Sequence, residues 1–165
     1  MLPLVVALVA RLHQWGGLMF FPSSPISLRT PARSAIWQLS DALAVIGHAL
    51  GDAPEAVCLL LDRSHHGVTV LIIDNSPDDM ADLVEALVPL VSTAAEVTAI
   101  VLATAVERFT SYPTAATQLA FLDAREQFSA CGVDLLDWVV SDHRLTVSLA
   151  EVTDAQPLWR AAVRR

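Results

Sequence analysis

A chain of 165 residues, 54% hydrophobic and 17% charged, holds enough apolar surface for one domain with a sizeable core, and this composition excludes intrinsic disorder. The formal net charge is −8 and all ten basic residues are arginine, so phosphates would be poorly neutralised and nucleic-acid binding is not expected. The lack of lysine also excludes P-loop phosphate binding, Schiff-base chemistry and lysine general bases.

The first 21 residues are the greasiest part of the chain. Residues 1–10 (MLPLVVALVA) are apolar but stop at Arg11, too short a run to span a bilayer and without the positive start of a signal peptide. Leu4, Leu8, Arg11, Leu12 and Trp15 share one helical face, and Leu18, Phe20 and Phe21 extend the apolar surface. Such an arm is expected to dock on its own domain or on a second copy, giving a homodimer, with membrane contact as the other reading. Residues 22–31 contain three prolines and three serines and read as a linker. The expected organisation is an arm and linker over 1–33, one domain over 34–152 and a tail over 153–165.

Within the domain, Ser34 is placed to cap a helix carrying Ile36, Leu39, Leu43, Ile46 and Leu50 on one face, with Gly51 and Pro54 ending it. His48 falls on the solvent side. Residues 57–61 and 68–73 are short, β-branched apolar runs on either side of Asp62-Arg63-Ser64-His65-His66-Gly67, the pattern of two strands joined as a hairpin. Their near-continuous apolarity predicts helices on both faces of the sheet. Ser76-Pro77-Asp78-Asp79 then reads as a helix start, with a serine cap, proline at the first helical position and carboxylates at the positive end of the dipole. Met80, Leu83, Val84, Leu87 and Val91 form its buried face, and Pro89 is expected to end or kink it.

A third strand is predicted over 97–104, followed by an irregular loop over 105–113 of the kind that lines ligand crevices in α/β sheets. The next helix, 114–131, should bury Ala120, Phe121, Ala124, Phe128 and Cys131 and close at Gly132. Residues 133–140 and 145–149 read as two strands around the turn Ser141-Asp142-His143-Arg144. The order helix, strand, strand, helix, strand, helix, strand, strand predicts an α/β fold, a three-layer α/β/α domain with a mixed five-stranded sheet. Each of the two later helices should connect neighbouring parallel strands with a right-handed crossover. Cys58 and Cys131 are expected to be buried; neither a zinc knuckle nor a disulfide framework is formed, which fits a reducing cytoplasm.

Residues 131–140 (CGVDLLDWVV) and 146–149 (TVSL) resemble the closing pair of strands in the JAB-type domain of RadC-like proteins. The same order of elements is also used by cytidine-deaminase-like domains, an analogy of fold alone. A vaguer likeness is to small proteins of Arg- and Ala-rich bacterial genomes, which implies no activity. The RadC-like resemblance implies a zinc site in which a strand ends in His-x-His-Pro and the following loop and helix supply Ser and Asp. It also implies a catalytic glutamate before the first strand, where Glu55 stands. Here the histidine positions read Ala103-Thr104-Ala105, with Val106 for the proline, and Pro113-Thr114-Ala115-Ala116-Thr117 brings no carboxylate. Methyl groups cannot ligate zinc. The deaminase zinc ligands are missing too: Ser76-Pro77-Asp78 and Tyr112-Pro113-Thr114 occupy their places.

Other chemistry rests on single side chains. His65 and His66 could pair on a metal with Asp62, but adjacent histidines in a turn seldom converge on one ion, and both read as solvated turn residues. Glu55, Asp74 and Glu107 are the candidates for acid/base work, Asp74 and Glu107 as a carboxylate pair at the strand ends with Tyr112 as a hydrogen-bond donor. No nucleophile elbow, glycine-rich phosphate loop or His-Glu-x-x-His is present. Trp159, Arg160, Arg164 and Arg165 read as a frayed end with one packed Trp. The reading reached is a non-catalytic JAB/RadC-like domain of a bacterial cytoplasm, without metal or cofactor, acting through protein–protein contacts. The second is a hydrolase or small-ligand binder using the 105–113 loop with Glu55, Asp74 and Glu107. The third is a membrane-associated regulator held by residues 1–21.

Overall fold

The computed structural model describes residues 35–47, 55–74, 76, 79–106, 113–142 and 145–155, the side chains of Glu55 and Asp74 excepted. The arm, the linker, Ser34, His48, Glu107, Tyr112 and the tail beyond residue 155 therefore lie outside the described residues. The described elements are α1 (Leu39–Gly47), β1 (Glu55–Leu61), β2 (Gly67–Asp74), α2 (Met80–Ser92), β3 (Ala99–Ala105), α3 (Ala115–Ala130), β4 (Asp134–Ser141), β5 (Thr146–Ser148) and α4 (Leu149–Val152).

The five strands form one mixed sheet in the order β2-β1-β3-β4-β5, so the α/β fold stands. β1 is antiparallel to both β2 and β3, β3 is parallel to β4, and β5 is antiparallel to β4. The crossover through α3 joins parallel neighbours, as expected. The crossover through α2 does not: β2 and β3 run in the same direction, but β1 lies between them. The hairpin holds β1 against β2, and the other edge of β1 receives β3.

Alternation along β1 explains the apolar strands. Ala56, Cys58 and Leu60 join a core cluster with Leu83, Val84, Leu87 and Val91 of α2 and Phe121, Ala124 and Phe128 of α3. Val57, Leu59 and Leu61 join a second cluster with Ala42 and Ile46 of α1. A strand buried on both sides needs an apolar residue at every position, and β1 supplies one from Ala56 to Leu61.

Helix boundaries differ from the sequence expectation where backbone groups find other partners. α1 begins at Leu39 rather than after Ser34, because Ala35 bridges His66 and the Ile36 N–H donates to the His65 carbonyl at 2.8 Å. The Asp41 carboxylate accepts from the Trp37 N–H. α2 is capped by Asp79, which accepts from the Ala81 N–H at 2.8 Å, and not by Ser76. Pro89 does not end the helix: α2 continues to Ser92, and the hydroxyls of Ser92 and Thr93 donate to the carbonyls of Pro89 and Leu90 in the final turn. α3 is capped by Thr114 and closes at Gly132, whose φ of +77° is the left-handed exit expected there. Cys131, at the end of the helix, is exposed rather than buried, and Ala120 is half-buried. The last predicted strand stops at Ser148, where its side chain caps the unexpected short helix α4.

Candidate functional site

The end of the sheet where β3 and β4 terminate is where an α/β domain would carry a site. Register brings Glu55 opposite Asp74 across the β1–β2 hairpin, and Ala56 opposite Thr104 of β3. Glu55 and Asp74 therefore mark the ends of adjacent strands at the same edge as Ala105. The sequence pairs Asp74 with Glu107; the backbone pairs it with Glu55, and Glu107 lies outside the described residues. The 105–113 loop is described only at Ala105, Val106 and Pro113, and the Val106 N–H is bound to the Ser141 carbonyl at 2.9 Å.

Next to that edge, β3 passes from the buried Ala103 to the half-buried Thr104 and Ala105. Ala103 is buried in the cluster under α1. The Thr104 hydroxyl accepts the indole N–H of Trp138 at 3.2 Å, the contact that satisfies a fully buried tryptophan. Among the described residues, no group of three His, Cys, Asp or Glu side chains could hold a metal ion.

The turn between β1 and β2 separates its two histidines. Asp62 spends one oxygen on the N–H groups of Ser64 and His66, at 2.7 and 2.9 Å, which folds the turn locally. His66 remains outside, with its Nδ1 3.7 Å from that carboxylate. His65, expected to be solvated, is only 8% exposed. It takes a left-handed φ of 58°, which turns the ring inward to stack on Trp37 at 5.5 Å. Its Nδ1–H donates to the Ile36 carbonyl at 3.3 Å, since a carbonyl can only accept. His65 thus fastens the lead-in to α1 onto the hairpin, and the pair does not converge on a common ligand.

The polar centre that sequence reasoning missed is Asp137. In β4 the register passes from Leu135 opposite Ile100 to Asp137 opposite Val101, so Leu136 is a bulged extra residue. The bulge keeps Leu135 and Trp138 on one face and Leu136 and Val139 on the other. Asp137 is 1% exposed. One oxygen accepts from the N–H groups of Trp138 and Ala150, at 2.8 and 3.2 Å, and the other accepts the Ser148 hydroxyl at 2.7 Å. The Ser148 oxygen in turn accepts the Glu151 N–H at 3.1 Å. One carboxylate therefore ties β4, β5 and the start of α4 together. Burial pushes its pKa above the ordinary 3.8; the three bonds pull it back in part, and nearby Glu151 pushes it further up. The available signal was a carboxylate inside the apolar run Leu135-Leu136-Asp137-Trp138-Val139, which must find partners if it is buried.

The two thiols differ. Burial raises the Cys58 pKa far above its ordinary value, so Cys58 packs as an inert small apolar residue, while Cys131 is free at the surface. Among the described residues no helix is long and apolar enough to cross a membrane. Neither a protein-family model nor a curated protein matches this chain.

Proposed function

We propose that this chain is a non-catalytic interaction domain, related in fold to the JAB domains of RadC-like proteins and working through protein contacts in a bacterial cytoplasm. The observation that carries the reading is the pair of alanines, Ala103 and Ala105, at the places where such a domain would carry its zinc-binding histidines. Ala103 is buried and Ala105 half-buried, neither methyl group can ligate zinc, and the hydroxyl of Thr104 between them is occupied by the Trp138 indole. Support for the interaction half comes from large apolar side chains left at the surface, Trp37, Leu119, Leu122 and Leu145 among them. Free, unpaired cysteines fit a reducing compartment.

The test is metal analysis of the full chain purified without chelator, followed by calorimetric titration with zinc. The expected result is far less than one zinc per chain and no stoichiometric binding. One zinc per chain, lost on Glu55→Gln or Asp74→Asn, would replace this reading with a metal-dependent hydrolase built on the carboxylates at the sheet edge.

A further inference from the structure

We infer that residues 26–34 add an antiparallel strand to the sheet along the open edge of β2, an inference that does not rest on the interaction reading above. Among the described residues β2 has a strand on one side alone, since it begins the order β2-β1-β3-β4-β5. Edge strands are ordinarily guarded by charge, proline or shortness. β2 is eight residues long, and from Gly67 to Ile73 it carries neither charge nor proline. The residues that lead into α1 point to what covers this edge. Ala35 forms an antiparallel bridge with His66, and the Ile36 N–H donates to the His65 carbonyl at 2.8 Å. The His66 carbonyl itself accepts the Asp62 N–H, on the β1 side. Ala35 therefore lies on the opposite side, in line with the open edge. The stack of His65 on Trp37 and the bond from His65 to the Ile36 carbonyl fix this starting point. Antiparallel pairing reads one chain backward as the other runs forward, so the residues before Ala35 are directed along β2 from Gly67 toward Asp74.

The sequence of that segment suits the place. Residues 26–33 read ISLRTPAR, with uncharged Ile26, Leu28, Thr30 and Ala32 at the even positions and serine, arginine or proline at the odd ones. This is the two-residue period of a strand with one covered face. Backbone groups alternate in the same way along an antiparallel strand. Because the Ile36 N–H is turned to the hairpin, the even-numbered residues before it face β2 and the odd-numbered ones face away. Pro25 and Pro31 are both odd, so their missing N–H groups cost no bond to β2, the setting in which an edge strand accepts proline. Pro31 also biases Thr30 toward the extended region. The prolines that read as a linker by composition are thus spaced for an outer strand. The pairing delivers residues 1–25 to the end of the sheet where Glu55 and Asp74 stand opposite one another.

Amide hydrogen exchange of the full chain, read residue by residue by NMR, tests this. The expected result is alternation: the amides of Leu28, Thr30 and Ala32 exchange at least about tenfold more slowly than those of Ser27, Arg29 and Arg33. Ala32→Pro removes a donor that faces β2 and should abolish the protection of Leu28 and Thr30. Arg33→Pro removes a donor that faces away and should leave that protection in place. Protected β1 amides show that each variant is folded; if Ala32→Pro does not fold, the pattern in the native chain decides alone. Unprotected exchange throughout 26–34, or protection at consecutive positions as in a helix, overturns the inference. Protection that appears only as the chain dimerises in sedimentation would place a second copy's segment on the edge, and overturns the pairing within one chain. None of these outcomes reports on zinc, so the interaction reading stands or falls on the separate metal test.

Discussion

Asp62 and Asp137 perform the same task at two depths. Each uses one carboxylate oxygen to collect two backbone N–H groups. Asp62 does so in a hairpin turn, 38% exposed, where water can replace any bond it loses. Asp137 does so inside a β-bulge at 1% exposure, where nothing can, and its second oxygen is committed to Ser148. The same bonds are worth little at the first position and much at the second, because an unmade bond costs most where solvent is excluded.

The comparison breaks first at Asp137. Asp137→Ala strands the N–H groups of Trp138 and Ala150 and frees the Ser148 hydroxyl; at about 1 kcal/mol for each buried group, it should cost about 3 kcal/mol. A urea transition read by tryptophan fluorescence would show this as a lower midpoint, and an unchanged midpoint would mean that β5 and α4 are not held by this carboxylate. Ser148→Ala removes one partner of Asp137 and the cap of α4 together. The expected loss is about 2 kcal/mol, with faster hydrogen exchange at the α4 amides while those of β1 stay protected.

Asp137→Asn keeps an acceptor for the two N–H groups and removes the charge, so its cost near neutral pH is smaller, about 1 kcal/mol. Its value lies in the sign of the pH dependence. The Asp137 pKa is raised in the folded chain, so the folded state binds the extra proton. Its stabilising contribution is complete below the unfolded value near 3.8 and is lost as pH rises through the raised folded value. Parallel denaturation curves should therefore show the native chain losing ground to the Asp137→Asn variant as pH rises above about 4, then running level. A native chain that gains ground over that interval would mean that the bonds outweigh burial. The smallest effect belongs to Asp62→Ala, about 0.5 kcal/mol by thermal melting, since solvent takes over the exposed N–H groups. A loss matching that of Asp137→Ala would abolish the contrast altogether.

The candidate site was only partly legible. Glu55 and Asp74 could be named because carboxylates at strand ends are visible as such, but their pairing depends on hairpin register, which two-residue periodicity does not specify. Asp137 was overlooked because a carboxylate in a strand-like run is ordinarily assigned to the solvent side, whereas both faces of β4 are buried here. His65 was placed in solvent for a similar reason: its inward turn requires a left-handed backbone and a stacking partner 28 residues earlier in the chain, Trp37.

By itself the sequence determined the kind and order of the elements. Apolar runs in β1, β2 and β3 are short and bounded by turn residues, while Leu83, Val84, Leu87 and Val91, like Phe121, Ala124 and Phe128, recur at the helical period. Those signals are local, since they follow from how a residue's own backbone presents its side chain. Only the tertiary structure decided which strands are neighbours, that β1 separates β2 from β3, and that α1 waits until Leu39 because Ala35 and Ile36 are held extended by the hairpin turn. It also decided that Ser148 ends a strand and starts a helix. Each of these rests on a hydrogen bond between residues far apart in the chain or on a choice between two satisfiable local partners, and such a choice is settled only when the competing surfaces meet.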